Sequence, residues 1–254
     1  MSLMSKHIKT ISTLFLLAFV FTMSTPTIHA QTGNPKVSFT FDDGFLSTFE
    51  NALPILSSRN IPATAYITTS WIDSGTTGDN FPALNWDQVT ALQNQYGWEI
   101  GSHTVTHPQL NTLPIEQVDQ ELTQSKDELA QHGINATSFA SPYGEVSDEV
   151  VAESLKTYHS HRGFTDRFDS RDNSYNNSNT TIQSIEESTS IVDVQSWVDQ
   201  ALASGQWLIL VLHNVAENYD PNYQWTTTNT ELGQIADYIK QVGIPTMTVG
   251  QVVK

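Results

Sequence analysis

Cysteine is absent from the 254-residue sequence, so no disulfide braces it. Basic residues are scarce: 11 Lys and Arg stand against 27 Asp and Glu, a formal net charge of −16. A field of that sign repels phosphates and excludes nucleic acid as a partner. Long apolar runs are missing too. The most apolar stretch, Leu14 to Met23, is half as long as the roughly twenty residues of a permanent membrane helix, so stable membrane insertion is not expected. The core has to supply stability by itself, which a chain of this length can do.

What is present at the N-terminus reads as a secretory signal peptide: Lys6 and Lys9, then the apolar run, then Pro26 and the small-residue end Ile28-His29-Ala30. Cleavage is expected after Ala30, giving a secreted or periplasmic protein in which residues 31–254 form one large monomeric domain. Residues 1–30 hold two of the basic residues and no acidic one, so their loss takes the formal charge from −16 to −18.

From Lys36 onward, short β-branched runs alternate with helical patterns. Strands are expected at Lys36–Phe41, Ala63–Thr68, Trp98–Ser102, Ser138–Ser141, His161–Thr165, Thr181–Ile185, Gln206–His213 and Pro245–Val249. Helices are expected at Thr48–Ser58, Trp86–Tyr96, Pro114–His132, Ser147–Tyr158, Val192–Ser204 and Thr230–Val242. Asp73–Asn85 and the polar run Asp166–Thr180 carry no usable period and read as loops, the second as a surface excursion. Repeated β-then-α units call for a parallel sheet closed into a barrel, with an open doubly wound sheet as the alternative.

Four motifs fall at the ends of expected strands. Phe39-Thr40-Phe41-Asp42-Asp43-Gly44 puts two adjacent carboxylates where an apolar strand stops. Burying such a pair is costly unless a cation or a proton-handling task accompanies it. Ser102-His103-Thr104-Val105-Thr106-His107-Pro108 offers two imidazoles, and Pro108 favours a loop over a helix there. Asp43, His103 and His107 together have the composition of a catalytic divalent-metal site; zinc, cobalt, nickel and iron all suit it. Ser141-Pro142-Tyr143-Gly144 fixes a backbone path that can aim the Tyr143 N–H at a developing oxyanion. The run Leu208–Leu212 ends at His213, an imidazole that needs a partner or a task.

With these motifs in register, the stretch Lys36–Lys254 resembles the polysaccharide deacetylase family, carbohydrate esterase family 4, and within it the exopolysaccharide N-acetylglucosamine deacetylases. The resemblance implies a distorted (β/α) barrel with seven to eight parallel strands that hydrolyses N-acetyl groups of an acetylated polysaccharide with one divalent ion, zinc foremost. It assigns Asp42 as general base, Asp43, His103 and His107 as metal ligands, and His213 as general acid, with Pro142 and Tyr143 on the substrate side. An O-acetyl esterase on a xylan-like glycan, or an inactive carbohydrate-binding relative, are the alternatives. Two positions depart from the family pattern. Ser141 stands where many relatives have an arginine paired with the base, and the aspartate that partners the acid histidine has no clear counterpart, Glu187 and Asp193 being candidates by position. Arg162 is expected to orient Asp42 in place of the missing arginine, through a planar two-pronged grip that lysine cannot reproduce.

Overall fold

The computed structural model describes residues 33–144, 147–164 and 167–253; the expected leader lies outside them. In chain order the elements are β1 (Lys36–Phe41), a π-helical turn (Thr48–Ala52) running into α1 (Leu53–Ser57), β2 (Ala63–Ile67), α2 (Thr69–Ser74), α3 (Trp86–Tyr96) and β3 (Glu99–Ser102). There follow α4 (Ile115–Gln131), β4 (Ser138–Ala140), α5 (Asp148–Thr157), β5 (Ser160–Arg162), β6 (Phe168–Ser170), β7 (Thr180–Ser184) and α6 (Ile191–Ser204). The last part holds β8 (Trp207–Leu212), β9 (Asn214–Ala216), β10 (Thr226–Thr228), α7 (Asn229–Val242) and α8 (Val249–Val252). No described helix is long and apolar enough to cross a membrane.

Eight strands form one sheet in the order β6-β5-β4-β3-β2-β1-β8-β7, and all but β6 run parallel. The sheet curls into a nearly closed (β/α) barrel, the fold expected. A separate two-stranded parallel pair, β9 with β10, extends the chain beyond β8.

Several helix ends are written in the sequence. Asn85, Ser190 and Thr228 cap α3, α6 and α7, each in a reciprocal capping box with Gln88, Asp193 and Glu231 respectively. Helix α4 buries Val118, Leu122 and Leu129 along one stripe, the helical spacing that marks it in the sequence.

Three expectations are corrected. Pro245–Val249 is not a strand: only a single bridge, Thr246 to Val37, touches the sheet before α8 begins, because Thr248 caps a helix there. The polar run is not only a surface excursion, since β6 pairs antiparallel with β5. Its polar residues hide that strand. Strands β9 and β10 were not expected either.

Side chains alternate across each strand, and this alternation builds the site. In β1, Val37, Phe39 and Phe41 face the helices, while in β8 Leu208, Leu210 and Leu212 do the same. Trp207, Ile209 and Val211 point into the barrel with Tyr66, Ala140 and Phe168. The same parity sends Asp42, His103, Arg162 and His213 inward, all at the C-terminal rim of the parallel strands. Beneath them the interior is filled: an added Cβ on Gly101 would lie 2.5 Å from the Tyr66 ring, so only glycine leaves room for that ring.

Candidate functional site

Asp43 sits one residue past the β1–Asp42 junction with φ of 77°. Its Oδ1 is buried and makes no hydrogen bond, yet lies 3.3 Å from His103 Nε2 and 3.2 Å from His107 Nε2. His103 Nδ1 is 2.8 Å from the Ala140 carbonyl oxygen. A carbonyl only accepts, so that nitrogen carries the proton, and in the neutral ring Nε2 turns a lone pair toward the carboxylate. Two acceptors converging in a buried place need a cation between them, and the contacts are longer than the about 2.7–2.9 Å of a charge-assisted hydrogen bond. The three residues therefore fit a divalent metal with open positions for water and substrate.

Backbone conformation marks the same place. Among the described residues seven non-glycines have positive φ, and three of these are asparagines. The other four are Asp43, Thr104, His107 and Tyr143. Each such conformation costs about 1–3 kcal/mol and gathers where surrounding contacts impose it, commonly at functional sites.

Beside the metal cluster, Asp42 is 1% exposed and its carboxylate accepts from Arg162, which is fully buried. Arg162 Nη2 is 2.6 Å from both Asp42 oxygens. The grip expected from two nitrogens is thus made by one, while Nε has no partner. The guanidinium is packed 5.0 Å from the Tyr66 ring centre and 5.7 Å from that of Phe164. Fully buried, Arg162 contacts Asp42 and does not line the cleft on the substrate side. Ser141 is occupied elsewhere: its hydroxyl meets His161 Nε2 at 2.9 Å, and Ser154 of α5 meets His161 Nδ1.

A cleft of about 670 Å³ opens above these groups, lined by Asp42, Asp43, His103, His107, Tyr143 and His213 together with Phe164, Tyr223 and Trp225. Pro142 is buried and shapes the turn without lining the cleft, whereas Tyr143 is 51% exposed and its ring meets that of His107 edge-on at 4.6 Å. His213 is 8% exposed, packs 5.3 Å from the Trp225 ring, and its Nδ1 has no hydrogen-bond partner among the described residues. Burial pushes the His213 imidazole below its ordinary value, partly offset by the charges of Asp43 and Asp42. Of its two expected partners, Asp193 is spent on the α6 cap with Ser190. Glu187 lines the cleft rim, its backbone N–H bonded to the Gln224 carbonyl.

Sequence reasoning missed the aromatic wall. Tyr223 reaches the strand-end loop by packing 4.9 Å from Phe81 and 5.6 Å from Phe45. Phe164 and Trp225 stack at 6.3 Å. These residues lie in irregular segments with no period, so only the clustering of aromatics in Tyr223-Gln224-Trp225 hints at them.

A barrel with an Asp-His-His cluster at its C-terminal rim has a group that could hold a metal ion beside a second carboxylate. The model of the polysaccharide deacetylase family matches residues 29–159, and the chain belongs to that family. A chitooligosaccharide deacetylase of Sinorhizobium fredii is 27% identical over 126 residues, covering 48% of this chain and 54% of that protein. A poly-β-1,6-N-acetyl-D-glucosamine N-deacetylase of Staphylococcus epidermidis is 27% identical over 139 residues, covering 51% of this chain and 47% of its own. The chain thus spans about half the length of these curated relatives. The fold is shared with the crystal structure of the Xyl-CE4 domain of a multidomain xylanase from the hindgut metagenome of Trinervitermes trinervoides, at TM-score 0.57 and 23% identity, covering 87% of this chain and 90% of that one.

Proposed function

We propose that the protein is an exported, metal-dependent deacetylase that hydrolyses N-acetyl groups of an N-acetylglucosamine-containing polysaccharide. The observation that carries this reading is the convergence of His103 Nε2 and His107 Nε2 on an unpartnered, buried Asp43 oxygen, next to a second carboxylate held by an arginine. The names of the relatives support an N-acetylglucosamine glycan, and the leader features of residues 1–30 support export.

Asp43, His103 and His107 would hold a divalent ion, which when bound would supply Lewis-acid polarisation of the acetyl carbonyl and a lowered pKa for the attacking water. Asp42 accepts the proton of that water, with Arg162 fixing its carboxylate. The Tyr143 N–H, presented by a turn with φ of 57°, donates to the oxyanion. His213 delivers a proton to the departing nitrogen, since an amine leaves poorly as an anion. Phe164 and Trp225 exclude water from one side of the cleft.

Hydrolysis of an O-acetyl ester is the second reading, favoured by His213 itself. Among the described residues its Nδ1 has no carboxylate partner, and an alkoxide needs less acid assistance than an amine. Acetate release from a chitin-type oligosaccharide, from poly-β-1,6-N-acetylglucosamine and from acetylated xylan, each with and without chelator, tests both readings. Chelator-sensitive release from the amide substrates is expected; release from xylan alone selects the ester reading, and release that survives chelation from every substrate overturns the metal site.

A further inference from the structure

The segment joining the two histidines is held by a carboxylate that touches neither of them. Glu121, on α4, accepts hydrogen bonds from the N–H of Val105 at 2.8 Å and of Thr106 at 2.9 Å through Oε2. Its Oε1 accepts from the Thr106 hydroxyl at 2.7 Å. The carbonyls of the same segment are taken from the other side: Thr69 and Ser70, in the first turn of α2, donate to Thr104 and Val105 at 3.2 and 3.0 Å. Thr104 Oγ1 then accepts from the His107 N–H at 2.9 Å and closes the turn.

This arrangement imposes a conformation the segment does not prefer. Thr104 has φ of 71° and His107 φ of 59°; positive φ is uncommon outside glycine and is a marked outlier for a β-branched residue such as Thr104. Without acceptors for Val105 and Thr106, the backbone is free to leave the left-handed region, and a few tenths of an ångström at Thr106 become a larger displacement at the tip of the His107 ring. Trp71 and Tyr143 pack against that ring at 4.7 and 4.6 Å but neither bonds to it. The placement of His107 depends on this segment, whereas the His103 ring is fixed through Nδ1 by the Ala140 carbonyl.

We propose that Glu121 is a positioning residue for the metal centre, holding residues 104–107 so that His107 Nε2 converges on the point shared by Asp43 and His103. The proposal rests on the metal-ligand reading above. Outer-shell partners of this kind typically change metal affinity by about 10–100-fold when removed.

The test measures the Zn²⁺ dissociation constant of the metal-free protein by competition with a chromophoric chelator, with circular dichroism as the check of folding. Glu121→Ala is expected to weaken Zn²⁺ binding about 10–100-fold. Glu121→Gln is expected to lie closer to wild type, because its amide oxygen can accept both N–H groups and its amide nitrogen can donate to Thr106. Glu116→Ala, an exposed change on the same helix, leaves affinity unaltered. Co²⁺ loading adds a spectroscopic reading: the visible absorption of the Ala variant shifts if a histidine ligand is lost or moved. A folded Glu121→Ala protein with wild-type Zn²⁺ affinity and Co²⁺ spectrum overturns the proposal. Should the alanine variant not fold, Glu121→Asp, too short to reach the segment, is judged by the same two measurements. A wild-type protein that binds no Zn²⁺ or Co²⁺ overturns the metal reading itself, a result distinct from equal binding by wild type and variant.

Discussion

Asp42 and Arg162 are 120 positions apart in the chain, one just past the end of β1 and the other on β5, and they meet inside the barrel. Breaking such a buried pair from one side leaves an uncompensated charge, at a cost of about 3–5 kcal/mol. Arg162→Ala is therefore expected to lower the melting temperature and kcat together while leaving the bound-metal stoichiometry at one. Because one nitrogen makes both contacts, Arg162→Lys is expected to recover part of the lost rate, a change from what a two-pronged grip implies. Asp42→Asn is the sharper probe of chemistry: it keeps shape, removes the base, and is expected to cut kcat about 10²–10⁴-fold with metal content intact. Steady-state kinetics with metal analysis on the three variants decides; a normal rate in the asparagine variant assigns Asp42 to shaping the turn alone.

At the scale of elements, the strand β5 carries two residues facing opposite ways. Arg162 enters the site, and His161, fully buried, faces α5 between Ser141 and Ser154. Burial, with Arg162 and Arg167 adding repulsion, pushes the His161 imidazole down to about 3 from its ordinary 6.5. Above pH 6.5 the ring is neutral folded or unfolded. As pH falls below that value the unfolded chain takes up the proton first, so the stability contributed by the neutral ring is lost progressively toward pH 3. Denaturant midpoints from pH 7 to 4 are expected to fall less steeply in His161→Gln than in wild type, and equal slopes remove His161 as the cause.

The same elements show what a sequence reveals. Strands β1, β2 and β8 were legible because both their faces are buried, giving nearly continuous apolar and β-branched runs. Helix α4 was legible through the helical spacing of Val118, Leu122 and Leu129. The antiparallel β6 and the pair β9–β10 were not, since three-residue strands of Phe-Asp-Ser, Asn-Val-Ala and Thr-Thr-Thr have too short a pattern to show a period. In the site, residues carried by strand ends stood out, as a charged group after an apolar run does at Asp42, Asp43 and His213. Glu121 and Trp225 did not, because an acid on a helix and an aromatic in a loop look ordinary until their neighbours are known.

For the whole molecule, a formal charge of −16 and a cleft rim bearing Asp79 and Glu187 surround the site with negative potential. Deacetylation replaces a neutral amide by an ammonium group. A partly deacetylated glycan is therefore expected to bind more tightly than the fully acetylated one at low ionic strength, and the difference to shrink as salt rises past about 0.15 M, where the Debye length is about 8 Å. Binding constants for the two polymers across a salt series check this, and a salt-independent ratio contradicts it.

The filled interior beneath the site, where the Tyr66 ring occupies the space that Gly101 leaves, has one more effect. The barrel has a floor, so nothing threads through it, and under the proposed activity a glycan would lie across the mouth with one acetyl group pointing down. Once the bond is cut, the acetate sits below the sugar and shares its exit. Departure is then sequential, sugar first and acetate last, like objects in a well. Added acetate is expected to inhibit competitively against the glycan, and the amine product noncompetitively. The opposite pattern in product-inhibition kinetics would mean that the small fragment has a way out of its own.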